Sequence, residues 1–129
     1  MTIDRRTAAL GLAAVTISGC ATAQTETNVE PNMYGLIGKM IAQPGQRDAL
    51  IRAMLAGTTA MPGCLSYIVA RDPGDENAIW ITEVWDSAEN HRASLQLPAV
   101  QATIQQARPL IAGFGERFET APVGGVGIG

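Results

Sequence analysis

Glu83 stands where a carboxylate is costly. It lies inside the apolar run Trp80-Ile81-Thr82-Glu83-Val84-Trp85, and the sole histidine, His91, follows it closely. A buried carboxylate needs a partner or water, and without one it holds its proton more tightly. A carboxylate and an imidazole in one cavity can accept and pass on a proton. A structural role competes: Glu83 pairs an arginine such as Arg117 at an interface between subunits, and His91 packs on a helix surface. Cys64 has no base near it in sequence and reads as a buried core thiol. Met54 and Met61 suit either a plain core or the wall of an irregular cavity.

The elements that carry these residues follow from periodicity. Residues 33–42 form a strand, with Gly35 and Gly38 marking close packing or a bulge. Pro44-Gly45 breaks it. Leu50, Ala53, Met54, Gly57 and Met61 form the apolar stripe of a helix from Gln46 to about Thr59. After Met61-Pro62-Gly63, residues 64–71 form a second strand. Strict alternation puts Leu65, Tyr67, Val69 and Arg71 on one face, and Cys64, Ser66, Ile68 and Ala70 on the other. Asp72-Pro73-Gly74-Asp75 turns the chain into an antiparallel third strand, residues 78–85. There Ile79, Ile81, Glu83 and Trp85 share one face, while Trp80, Thr82 and Val84 share the other. Ser87 caps a short helix carrying His91, Arg92 and Ser94. Pro98 opens another helix, with Val100, Thr103, Ile104, Ala107 and Ile111 inward, which Pro109 ends or kinks. Residues 113–120 form the last strand, with Phe114, Glu116 and Phe118 expected on one face. The order is that of an α+β, ferredoxin-like βαββαβ fold with a four-stranded antiparallel sheet. Helices cover one face of such a sheet, and a second copy can cover the other, so a homodimer is expected.

Composition narrows the function. The chain has 129 residues, 47% apolar, with a formal net charge of −3 and no block of like charge. That argues against nucleic acid as a partner. One histidine and two cysteines speak against a structural zinc site, so no metal is expected. The first residues read as an address. Arg5-Arg6 and the short apolar run from Ala8 to Ile17 form a signal peptide, too short to span a bilayer. Ile17-Ser18-Gly19-Cys20 resembles a bacterial lipobox, which implies removal of residues 1–19 and lipidation of Cys20. Cleavage after Ala21-Thr22-Ala23 is the alternative. Arg5-Arg6 also resembles a twin-arginine signal, with Asp4 and Ala8-Ala9 departing from it. The chain thus divides into signal (1–19, alternatively 1–23), polar tether (20–32), domain (33–121) and glycine-rich tail (122–129). Export to the periplasm is expected, with membrane contact only through a possible N-terminal lipid anchor.

Gly63-Cys64-Leu65-Ser66-Tyr67, followed by Glu83-Val84-Trp85-Asp86-Ser87 ahead of a helix, resembles the antibiotic biosynthesis monooxygenase family. The resemblance covers about residues 33–120. It implies a dimeric α+β barrel, the architecture of quinol monooxygenases, oxygenating a small quinol or phenol without metal, flavin or any other cofactor. Under that resemblance His91 and Glu83 are the candidate catalytic pair. Trp80 and Trp85 are candidate cavity walls, Tyr67 a hydrogen-bond donor to a ring oxygen, and Arg71 and Arg92 counter-charges. Many family members carry a histidine nine residues after the tryptophan aligned with Trp85. Ser94 fills that slot here and counts as a candidate substrate contact, with His91 one turn before it. Two alternatives share the cavity: a non-catalytic module that binds a small hydrophobic ligand, quinone or haem, and a haem-degrading monooxygenase.

Overall fold

A computed structural model describes residues 32–128. The signal, Cys20 and nearly all of the tether lie outside the described residues. The elements run β1 (Tyr34–Ala42), α1 (Arg47–Ala56), β2 (Cys64–Arg71), β3 (Ala78–Trp85), α2 (Ala88–Ser94), α3 (Pro98–Ala107), a 3-10 turn (Arg108–Leu110) and β4 (Ile111–Thr120). The strands form one sheet in the order β2-β3-β1-β4, antiparallel at every pairing. This is the ferredoxin-like arrangement expected, its second helix divided at Leu97-Pro98. Pro98 takes the first helical position, where its missing N–H costs nothing.

One face of the sheet meets the helices. Ile79, Ile81 and Trp85 of β3, Leu50, Ala53 and Met54 of α1, and Val100 and Ala107 of α3 are buried there. The two long helices touch closely: a Cβ on Gly57 would collide with the Thr103 hydroxyl and approach the Ala99 carbonyl within 2.6 Å. Glycine therefore sets the spacing between α1 and α3. The turn from β2 to β3 is held from outside. Arg47 of α1 donates through one nitrogen to the carbonyls of Asp72, Asp75 and Ala78 at 3.2, 2.9 and 3.4 Å.

Two irregularities correct the faces expected from strict alternation. In β2, Cys64 pairs with Trp85 and Ser66 with Val84, so the register shifts around Leu65. Cys64 thereby moves to the position opposite Trp85, and Leu65 is left exposed. In β4, Arg117 pairs with Gly38 but Phe114 with Met40. Three steps along β4 match two along β1, a bulge at Gly115-Glu116. Phe114 and Phe118 do not share a face: Phe114 lies opposite Met40, on the helix side, and Phe118 opposite Ile37, on the outer side. The outer face is left with large apolar groups in the open, Ile68 at 54% and Phe118 at 53% exposure.

Candidate active site

Between the helix face of the sheet and helices α1, α2 and α3 lies a cavity of about 370 Å³. Its body is apolar, with Leu36, Met54, Met61, Ile81, Val100 and Ile104 among its walls. Its polar lining includes Glu83, His91, Tyr67 and Arg117. Few polar groups converging in a mostly apolar cleft is the usual form of a small-molecule site.

Strand pairing brings these groups together. Glu83 lies opposite Leu36 on one side and Tyr67 on the other. Its side chain is 14% exposed and that of His91 15%. The Trp85 indole N–H donates to Glu83 Oε1 at 2.8 Å, and His91 Nε2 stands 3.9 Å from the same oxygen. Burial raises the Glu83 carboxyl above its ordinary range, against the opposing pull of the Trp85 hydrogen bond, His91 and Arg117. Burial also pushes the Tyr67 hydroxyl strongly up, helped by the Glu83 and Cys64 charges. Tyr67 therefore stays a neutral hydroxyl, able to donate to a ligand oxygen.

His91 is held on three sides. Its ring lies 5.1 Å from that of Tyr34 and, edge-on, 5.5 Å from that of Trp85. Its carbonyl accepts from the Ser94 hydroxyl at 2.6 Å. Helix α2 is anchored by Ser87 Oγ, which accepts from the Asn90 N–H at 3.0 Å. The Asn90 amide also donates to Asp86 Oδ1 at 2.7 Å, against Gly63. Gly63 has φ +86°, and a Cβ there would meet both side chains within 2.8 Å. The Asp86 N–H donates to the Gly63 carbonyl at 2.9 Å, closing the strand-to-helix junction behind His91.

Several expected residues fall elsewhere. Trp80 is on the outer face, where its N–H donates to Asp72 Oδ2 at 2.9 Å and Lys39 lies over its ring. Even and odd residues of a strand point apart, so Trp80 and Trp85 cannot wall one cavity. Arg71 pairs with Asp48 at 3.0 Å on the surface. Arg92 is exposed on α2, outside the cavity lining. The cation at the site is Arg117 instead. It was expected to meet Glu83 across a subunit interface; within this one chain it lines the same cavity as Glu83 and lowers that carboxyl's affinity for protons. Ser94 is buried and lines the cavity, but its hydroxyl is committed to the His91 carbonyl. Tyr34 and Phe114 were not singled out from sequence. Tyr34 donates to Glu119 Oε2 at 2.7 Å, and Glu119 in turn lies 3.8 Å from Arg117. A pairing of Tyr34 with Trp85 was the signal that could have found it, and only register reveals that.

A strand-borne acid beside a helix-borne histidine, in an apolar cleft of a ferredoxin-like fold, defines a small-molecule site of the α+β type. Residues 33–106 match the model of the antibiotic biosynthesis monooxygenase family, and the chain belongs to that family. A crystal structure from Chloroflexus aurantiacus J-10-fl, provisionally described as an antibiotic biosynthesis monooxygenase, shares 67% sequence identity, with a TM-score of 0.73. The match covers 75% of this chain and 99% of that one. A Caulobacter crescentus protein, provisionally given the same description, matches at 19% identity and a TM-score of 0.66, over 78% of this chain and 99% of its own. A Pseudomonas aeruginosa structure matches at 19% identity and a TM-score of 0.64, over 74% of this chain and 98% of its own. These last two likenesses carry the fold alone. No curated protein matches the chain.

Proposed function

We propose that the protein is a monooxygenase that oxygenates a small quinol or phenol with dioxygen, using no metal or flavin, as an exported homodimer. The observation that carries this reading is Glu83, a buried carboxylate with raised proton affinity facing an apolar cavity beside His91 and Tyr67. A base is most effective when its pKa lies near the working pH, and burial moves Glu83 in that direction. Glu83 takes a proton from the bound hydroquinone, Arg117 faces the anion that results, and Tyr67 donates to a ring oxygen. The anion passes one electron to dioxygen. Superoxide and the ring radical combine at a ring carbon bearing hydrogen, and loss of water leaves a hydroxyquinone. One oxygen atom ends in the ring and the other in water. The hydroquinone supplies all the electrons, so no outside reductant is required. The apolar walls exclude bulk water and orient the ring.

The test is oxygen uptake by metal-free protein over a panel of hydroquinones. Uptake above autoxidation, lost in Glu83→Gln, is the expected result; no uptake above autoxidation for any of them overturns it. Saturable binding of quinones without turnover would favour the sequestering module. A Soret band on adding haem, abolished by His91→Ala, would favour haem chemistry. The homodimer is supported by the exposed Ile68 and Phe118 on the uncovered sheet face. Export and the Cys20 anchor rest on the signal-like residues 1–23. Mass spectrometry of protein from its native host tests them, and an intact Met1 would remove both.

A further inference from the structure

The cavity continues past the reactive end. A second cavity, of about 430 Å³, adjoins the first and shares Met40, Met54, Ile104 and Phe114 with it. These four side chains form a waist between the two. The polar groups are sorted to one side of that waist. Glu83, His91, Tyr67 and Arg117 all belong to the first cavity. Of the residues lining the second, only Arg108 carries a polar side chain. Phe114 is 70% exposed although it belongs to the walls of both. A large apolar ring open on a cavity wall gains by being covered.

We propose that the second cavity is a subsite for the aliphatic tail of a substrate whose phenolic or quinol ring sits in the first. This inference rests on the functional reading above. The ligand implied is amphipathic: one hydroxylated ring at the Glu83 end, then an apolar chain crossing the waist towards Arg108. The waist favours a chain over further fused rings. Two of its four members are methionines, whose unbranched side chains mould to a flexible ligand and offer no flat, rigid slot. A lone ring fills only the first cavity and leaves the side of Phe114 that lines the second uncovered.

The experiment is a chain-length series of 2-alkyl hydroquinones and their quinones, with binding read from tryptophan fluorescence and oxygen uptake read in parallel. Affinity should rise about fourfold per methylene, because each CH₂ leaves water, and level off once the tail reaches the mouth at Arg108. Ala112→Phe narrows the second cavity from an exposed lining position and should flatten that rise. A hydroxylated naphthalene or anthracene of matched carbon count should bind more weakly than the tailed ring. Equal affinity across the series, or an undiminished rise in Ala112→Phe, or tighter binding of the fused rings, would overturn the tail subsite. The two readings fail separately. Length-dependent binding without oxygen uptake supports the subsite and removes the monooxygenase. Oxygen uptake indifferent to tail length does the reverse.

Discussion

Trp85 and Glu83 sit two residues apart on one strand, and the indole N–H of one holds a carboxylate oxygen of the other at 2.8 Å. Neighbours on the same face of a strand lie within reach of each other, so β3 carries both the acid and the donor that orients it. The same indole meets the His91 ring in a T-shaped contact. Trp85→Phe should keep an aromatic ring in the core and lose the hydrogen bond, at a cost of about 1.5–3 kcal/mol for a bond to a charged group, with a further loss from the void the smaller ring leaves. Losing a donor that favours the ionised form raises the Glu83 pKa further. The acid limb of the pH–rate profile should therefore move to higher pH. An unmoved limb would show that Glu83 is not the titrating base.

Glu83→Gln separates chemistry from folding. The folded protein binds the Glu83 proton more tightly than the unfolded chain does, because burial raises its pKa. Its contribution to stability is therefore fullest below the unfolded value of about 4.3 and is lost as pH rises through the folded pKa. The glutamine variant should melt a few degrees above the parent at neutral pH and level with it near pH 4. Its oxygen uptake should fall about a hundredfold or more. Thermal melts across pH and an oxygen electrode check the two halves.

Gly63→Ala tests the junction behind His91. The backbone there is left-handed, and a methyl group would press on Asp86 and Asn90. Denaturant titration should show a loss of about 1–3 kcal/mol. Weaker ligand binding should accompany it, since α2 carries His91. Unchanged stability would mean that the loop has another conformation within easy reach.

Phe118→Glu places a charge on the outer face, far from the cavity side of β4. Sedimentation should show a monomer for the variant and a dimer for the parent. A parent that is already monomeric at micromolar concentration would remove the assembly from the proposal.

Arg71→Ala should cost less than about 1 kcal/mol, because the Arg71–Asp48 pair is exposed on both sides. Oxygen uptake should stay at the parent's level. A loss of turnover would mean that Arg71 reaches the ligand after all.

Element order was legible because each period is strong: the stripe of α1, the alternation of β3 and the Asp72–Asp75 turn all recur in the fold. Glu83 and Trp85 sharing one face was readable for the same reason. Three things were not. The pairing of β1 with β4 is long-range, so nothing local placed Arg117 in the cavity. Bulges at Leu65 and at Gly115-Glu116 leave little local trace, and they reversed the faces assigned to Cys64 and Phe118. Charge alone made Arg71 and Arg92 plausible counter-ions, yet Arg92 is exposed on α2, and Arg71, though on the helix face of β2, ends that strand in a surface pair with Asp48.

The Gly115-Glu116 bulge also dictates how β4 will answer to genetic change. Before it the even-numbered Phe114 looks inward; after it the odd-numbered Arg117 does. A substitution scan along the strand should thus invert its parity at that point, and a tolerance profile read as one uninterrupted strand will be misread. Deleting Glu116 alone would restore a two-for-two ladder with Phe114 and Arg117 still inward. Strand length, and not only residue identity, is therefore an adjustable trait of this site: lineages can shorten β4 by one residue and straighten its edge while Phe114 and Arg117 keep their inward positions, at the loss of Glu116 from the cavity lining.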